Sequence, residues 1–194
     1  MLFMREKLTA REIFTVPNIL SYFRILLIPV FIVVYLQADS PEGYYLAALV
    51  VLVSGFTDLA DGYIARRFNQ ITRLGKAIDP IADKLTQAAI AICLMFRIKG
   101  MVFLAILHVI KEGYMAVNNL ILIRSGKGPL DGAMWFGKLS TAAFYLLMIV
   151  AVAVPTLPTM WMNVLMIAAA FFMIVALVMY IPVFRNLRNG VQDN

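Results

Sequence analysis

Six apolar stretches, at roughly 17–36, 44–65, 79–97, 100–123, 133–154 and 160–183, constrain this 194-residue chain more than anything else in it. Each is about the 20 residues that a helix rising 1.5 Å per residue needs to cross a bilayer. The chain therefore reads as an all-α integral membrane protein of six transmembrane helices. Composition agrees. With 62% hydrophobic and 14% charged residues, it departs from the roughly 45–50% and 25% of soluble domains, which excludes an ordinary soluble fold. Turn-forming residues separate the stretches: Ser40-Pro41-Glu42-Gly43, Arg97-Ile98-Lys99-Gly100, Ser125-Gly126-Lys127-Gly128-Pro129, and Pro155 with Pro158. The single cysteine, Cys93, excludes an internal disulfide and any multi-cysteine zinc site. The opening MLFMREKLTAREIFT has no apolar core followed by a small-residue cleavage site, so it reads as a juxtamembrane amphipathic helix and not as a cleaved signal peptide. The expected organisation is this cytoplasmic segment over 1–16, a six-helix domain over 17–184 and a cytoplasmic tail over 185–194. No separate soluble domain and no nucleic-acid partner is expected.

Lys and Arg set the orientation. An even number of crossings puts both termini on one side, and that side collects Arg5, Lys7, Arg11, Arg66, Arg67, Arg73, Lys76, Arg124, Lys127, Arg185 and Arg188, against Arg97 and Lys99 opposite. Both termini are expected in the cytoplasm. Outside the motif described next, these bases read as topology signals, with anionic headgroup binding as the other reading.

Four of the eleven acids, Asp58, Asp61, Asp79 and Asp83, fall at the end of the second stretch and the start of the third. An aspartate at mid-bilayer costs about 2.5–3.5 kcal/mol on insertion scales and less near the interface, so four of them need a compensating partner. Asp58 and Asp61 are spaced i, i+3 and Asp79 and Asp83 i, i+4, so each pair shares a helix face and the turn between can bring the pairs together. An all-oxygen cluster of this kind suits Mg²⁺ or Mn²⁺. Asp79-Pro80 reads as the start of the third helix, an acid at the cap and proline at the first helical position. Gly62 and Ala65 leave the helix face beside the acids without bulk. Arg66 and Arg67 follow, suited to gripping a phosphate that the metal also contacts.

Together these residues read D-x-x-D-G-x-x-A-R-x₈-G-x-x-x-D-x-x-x-D, carried by Asp58, Asp61, Gly62, Ala65, Arg66, Gly75, Asp79 and Asp83. The pattern resembles the signature of the CDP-alcohol phosphatidyltransferases at all eight positions. Pro17-Asn18, Ser21 and Arg24 in PNILSYFR resemble the opening of the first crossing in family members with glycerol-type acceptors, so the likeness covers nearly the whole chain. It implies transfer of the phosphatidyl group of CDP-diacylglycerol to an alcohol with release of CMP. It further implies a pair of divalent ions held by Asp58, Asp61 and Asp79, with Asp83 as general base and as a further metal contact. Asn18, Gly62, Ala65, Arg66 and Gly75 would hold the CDP-diacylglycerol. A bacterial cytoplasmic membrane, an active site on its cytoplasmic side and a homodimer are implied in the same way.

The acceptor is read from the later helices. Family members that make phosphatidylglycerophosphate carry Arg-Glu in the fourth crossing with Arg eight residues on, and open the fifth with Gly-Lys-x-Lys-Thr. This chain has Lys111-Glu112 with Asn119, and Gly137-Lys138-Leu139-Ser140-Thr141. Two cations are missing, which weakens recognition of glycerol 3-phosphate, since a charge-assisted bond is worth about 1.5–3 kcal/mol. The departures resemble the family's cardiolipin synthases, whose acceptor is phosphatidylglycerol. Glycerol 3-phosphate stands first, with Lys111, Arg124 and Lys138 as its expected contacts. The rival of another class is a divalent cation transporter using the same acids, but its site belongs near mid-membrane at broken helices of repeated halves. His108 reads as a packing residue and not as a proton relay.

Overall fold

The structure, a computed structural model, describes residues 14–70, 72–127, 130 and 134–189. Among them all regular structure is helical, in six helices: α1 Val16–Leu36, α2 Pro41–Arg67, α3 Arg73–Met95, α4 Met101–Arg124, α5 Trp135–Ala153 and α6 Thr159–Asn189. The expected N-terminal amphipathic helix falls mostly outside the described residues. Five helices are long and apolar enough to cross a membrane. The exception is α3, in which Asp79, Asp83 and Lys84 leave only residues 85–95 without charge, well short of the roughly 20 that a lipid-exposed crossing needs.

The elements differ from the sequence reading at their ends. α3 begins at Arg73 and not at Asp79, and Pro80 lies inside it. The cap is Thr72, whose Oγ1 accepts the Gly75 N–H at 2.9 Å, an orphan donor of the first turn. α2 starts with Pro41 at its first turn after Ser40 in extended conformation, the position where proline's missing N–H is no loss. α6 runs through Pro182 to Asn189, and its 31 residues span about 46 Å, longer than a bilayer core, which carries Arg185 and Arg188 past the apolar part of the helix.

The chain divides into two compact units, Met1–Cys93 with Val152–Pro155, and Leu94–Ala151 with Thr156–Asn194. In the first, α1 packs along α2. Asn18, Ser21 and Arg24 of α1 and Ala47, Ala48, Ser54 and Asp61 of α2 are buried, while Phe23, Leu26, Val30, Leu49, Leu52 and Phe56 face outward. Polar and small residues inside with large apolar ones outside is the pattern of helices solvated by lipid, where small side chains allow close backbone approach. In the second unit α4 packs on α6. Leu122, Phe136, Ala176, Tyr180 and Phe184 form its core. Gly137 admits the Tyr180 hydroxyl, since a Cβ there would fall 2.0 Å from that oxygen.

Candidate active site

Arg24 is the only charged residue of α1. Its guanidinium reaches two acids one turn apart on α2: Nη1 stands 2.6 Å from Asp58 Oδ1, and Nη2 donates to Asp61 Oδ2. Arg24 and Asp61 are buried, whereas the Asp58 side chain is 48% exposed, so the group opens outward at Asp58. One turn before Arg24, on the same buried stripe, the Ser21 hydroxyl donates to Asp79 Oδ1. On α3 itself, Gln87 Nε2 donates to Asp83 Oδ2 at 2.9 Å. Asp79 and Asp83 lie near enough for their charges to act on Asp58, and Asp58 and Asp79 act likewise on Asp61.

Ser21 and Arg24, one turn apart on α1, thus hold acids of both pairs of the sequence reading. The acids are not assembled as a preformed metal cluster. Among the described residues no three Asp, Glu, His or Cys side chains stand together so as to hold an ion. The physical reason is that Asp58, Asp61, Asp79 and Asp83 are each turned toward a neighbour of the protein's own: Arg24, Ser21 or Gln87. In kind, the donors fit a hard divalent cation, because the acids are oxygen ligands and two of them already hold a cationic group.

Beside the acids, the loop after α2 returns to α1. Thr72 Oγ1 donates to Asn18 Oδ1 at 3.2 Å and caps Gly75 in turn. Gly75 is pressed against this pair, since a Cβ there would lie 2.6 Å from Asn18 Oδ1 and 3.0 Å from Thr72 Oγ1. Asn18 and Gly75, expected to share the nucleotide site, therefore do meet. Gly62 is different: its added Cβ would meet only Arg66 Nη2, at 3.6 Å, so this face is open. Arg66 is exposed on the last turn of α2, where its Nε donates to the Gly62 carbonyl at 3.0 Å, and Ala65 beside it is half-buried.

Lys111, Arg124 and Lys138 belong to the second unit. Lys111 is fully buried, and its ammonium donates to Ser140 Oγ at 3.0 Å and Thr141 Oγ1 at 3.2 Å and stands 3.1 Å from Glu112 Oε1. Its three donors match three partners. Arg124 and Lys138 are exposed. The same unit holds a cavity of about 380 Å³ lined by Tyr114, Asn118, Ile181, Phe184, Arg185, Arg188 and Asn189. Among the described residues neither arginine of this cavity meets a carboxylate. His108 stacks on Phe144 with ring centroids 4.5 Å apart.

Four residues at these sites had no assigned role in the sequence reading: Ser21, Arg24, Thr72 and Gln87. Arg24 carried a legible signal, as the lone charge in an apolar crossing. Ser21 stands in the PNILSYFR segment that carries part of the resemblance, whereas Thr72 and Gln87 are ordinary polar residues whose partners lie 54 and 4 positions away, and nothing local marks them.

Comparison with known proteins points the same way as the geometry. The family model described as CDP-alcohol phosphatidyltransferase matches residues 14–181. The Bacillus subtilis (strain 168) CDP-diacylglycerol–glycerol-3-phosphate 3-phosphatidyltransferase is 32% identical over 141 residues, 67% of this chain and 72% of its own length. The Escherichia coli (strain K12) protein of the same name is 36% identical over 135 residues, again 67% and 72%. A Mycobacterium tuberculosis (strain H37Rv) protein, named provisionally as a cardiolipin synthase, is 33% identical over 187 residues, 93% of this chain and 84% of its length.

Proposed function

Because the chain belongs to the CDP-alcohol phosphatidyltransferase family, we propose that it transfers the phosphatidyl group of CDP-diacylglycerol to glycerol 3-phosphate, giving phosphatidylglycerophosphate and CMP, in phospholipid biosynthesis. The observation that carries the reading is that Arg24 holds Asp58 and Asp61 of α2 while Ser21, one turn away on α1, holds Asp79 of α3, with an exposed Arg66 and an open Gly62 face on the same helix as the first pair. Acids so placed are stable only with compensating positive charge. Asp58, Asp61 and Asp79 would hold the divalent ions, Mg²⁺ or Mn²⁺ and two in number, with Asp83 as a further contact. Metal held by these carboxylates would supply the positive charge that a diphosphate needs.

The rest falls to the chain's own residues. Arg66, free to leave the Gly62 carbonyl because it lies in solvent, grips the diphosphate as a planar two-pronged donor. Asn18 and Gly75 form one wall of the nucleotide seat, fixed by Thr72. Asp83 accepts the proton of the acceptor hydroxyl as its oxygen bonds to the lipid-bearing phosphorus, while the bond to CMP breaks and CMP departs with the electron pair. Gln87, holding Asp83 Oδ2, orients the carboxylate for that task. Base placement supports a cytoplasmic site and cytoplasmic termini, and the homodimer rests on the family resemblance alone.

For the acceptor, the cavity with Arg185 and Arg188 favours an alcohol that carries a phosphate over serine or inositol, because two guanidiniums that meet no carboxylate among the described residues suit an anion. Lys111 enters indirectly. Its ammonium is engaged, and Ser140, where a second lysine is expected for glycerol 3-phosphate, is one of its partners. A lysine there would set two ammoniums together in a buried place. The same observation supports the second reading, phosphatidylglycerol as acceptor and cardiolipin as product, as in the mycobacterial relative's name. CMP release by purified protein in nanodiscs, with CDP-diacylglycerol and Mg²⁺ or Mn²⁺, decides between them. Turnover with glycerol 3-phosphate is expected, and Asp83→Asn should abolish it while CDP-diacylglycerol still binds. Turnover with phosphatidylglycerol alone would establish the second reading, and silence with every acceptor in folded protein would overturn both.

A further inference from the structure

Arg24 lies where the reaction requires a metal, and this has a consequence for how the metal binds. Its side chain is 2% exposed, and it joins one oxygen of Asp58 to one of Asp61 across successive turns of α2. Two carboxylates one turn apart on one helix, Asp61 buried and Asp58 half-exposed, repel each other without a cation, and a guanidinium, planar and permanently charged, is the group best shaped to hold both. α1 offers no other charge. Two of the acids are thus already engaged by a cation of the protein's own.

We infer that Arg24 is a built-in counter-ion of the Asp58 and Asp61 pair, which holds α1 to α2 in the metal-free protein and competes with the divalent ion for these carboxylates. The inference rests on the metal reading of the proposed function. A divalent ion drawn to Asp58 and Asp61 meets an adjacent positive charge in a poorly screened place, so the guanidinium must yield at least one of its two carboxylates. Arg24 is thus a positioning residue. It prevents the acids from repelling when no metal is present, and it sets the concentration at which metal enters.

The competing role differs in sign from a structural one. If Arg24 only supported the fold around the acids, removing it would loosen metal binding. As a competitor, its removal tightens metal binding while weakening the metal-free protein. The test is Mn²⁺ binding, by calorimetry and by the electron paramagnetic resonance of free Mn²⁺, on the full chain in nanodiscs without substrate. Melting in EDTA and in saturating Mn²⁺ accompanies it. Arg24→Gln should bind Mn²⁺ about tenfold more tightly, within the range of ordinary coupling between ligands, melt earlier in EDTA, and gain more from Mn²⁺ than the parent. Arg24→Lys, a single point charge that cannot fork to both acids, should lie between the two. If Arg24→Gln does not fold, Arg24→Lys decides alone. Mn²⁺ affinity unchanged or weakened in the folded variants overturns the inference, as does a parent protein that binds no Mn²⁺. CMP release from the same preparations separates the two proposals. Turnover with no tightening overturns the counter-ion and leaves the reaction standing, whereas tightening with no turnover for any acceptor does the reverse.

Discussion

Gly62 and Gly75 stand 13 positions apart in one motif, yet alanine should act on them with opposite sign. Both lie in helices, α2 and α3, where replacing glycine by alanine gains about 0.8–1.0 kcal/mol if nothing is in the way. At Gly62 nothing is. The new methyl would meet Arg66 Nη2 at 3.6 Å, an ordinary contact with the mobile end of an exposed side chain. Gly62→Ala should therefore stabilise by about 1 kcal/mol. At Gly75 the methyl would come within 2.6 Å of Asn18 Oδ1 and 3.0 Å of Thr72 Oγ1. Asn18 is 1% exposed and cannot swing into solvent. Overpacking of this kind costs about 1–3 kcal/mol, and displacing Asn18 from Thr72 forfeits a hydrogen bond worth about 1 kcal/mol. Set against the helix gain, the net is a loss of about 1–3 kcal/mol. Thermal unfolding in one detergent should then move the two variants a few degrees in opposite directions, and CMP release should show a raised CDP-diacylglycerol requirement for both. For Gly62→Ala that loss accompanies higher stability, because the added methyl stands where the nucleotide approaches. A Gly75→Ala protein as stable as the parent, or a Gly62→Ala protein less stable, would refute the assignment of a crowded and an open glycine.

Three further outcomes are expected. Arg66→Ala should raise the apparent Michaelis constant for CDP-diacylglycerol about tenfold or more, given the strength of charge-assisted phosphate contacts, with melting unchanged; an unaltered constant counts against diphosphate contact. Lys111→Met should lower stability by about 1–3 kcal/mol, since it leaves Ser140 and Thr141 without their donor and the partly exposed Glu112 without its cation, and adding Glu112→Gln should recover part of that loss, so thermal unfolding with no recovery refutes the pair. Arg185→Gln with Arg188→Gln should raise the Michaelis constant for the acceptor and leave that for CDP-diacylglycerol in place; the reverse would move the cavity's anion to the donor.

Much of this was legible from the residues. Five of the six helices follow from apolar length, because a crossing is set by bilayer thickness and little else, whereas α3 carries only residues 85–95 without charge. The four acids stand out because ionisable groups are costly in so apolar a chain. Helix ends were less legible. Asp79-Pro80 has the form of a helix start, yet Thr72 seven residues earlier caps α3, and proline is carried inside the helix. Two competing local signals cannot be ranked without knowing that Asn18 of α1 is there to hold Thr72 in place. The state of the acids was not legible at all. Their spacing shows which faces they share, but only tertiary contact shows that Arg24, 34 and 37 residues away in sequence, already engages two of them.

The basic residues sort by where their charge is spent. Arg24 and Lys111 both lie inside apolar helices, both are essentially unexposed, and both are engaged with side chains of their own unit. Arg66, Arg185 and Arg188 lie at helix ends, exposed, and meet no carboxylate among the described residues. In lipid the first kind cannot wait for a ligand, since an unpaired buried cation is too costly to persist. The second kind can, because water solvates it in the meantime. A base deep in a crossing is therefore first a partner to internal polar groups, and reaches a substrate by surrendering that partner or through it. A base at the helix end reads the substrate directly. On this reasoning, in the proposed reaction the recognition of phosphate would fall to Arg66 for the donor and to Arg185 and Arg188 for the acceptor, while Arg24 and Lys111 would reach a substrate only by giving up a partner they already hold.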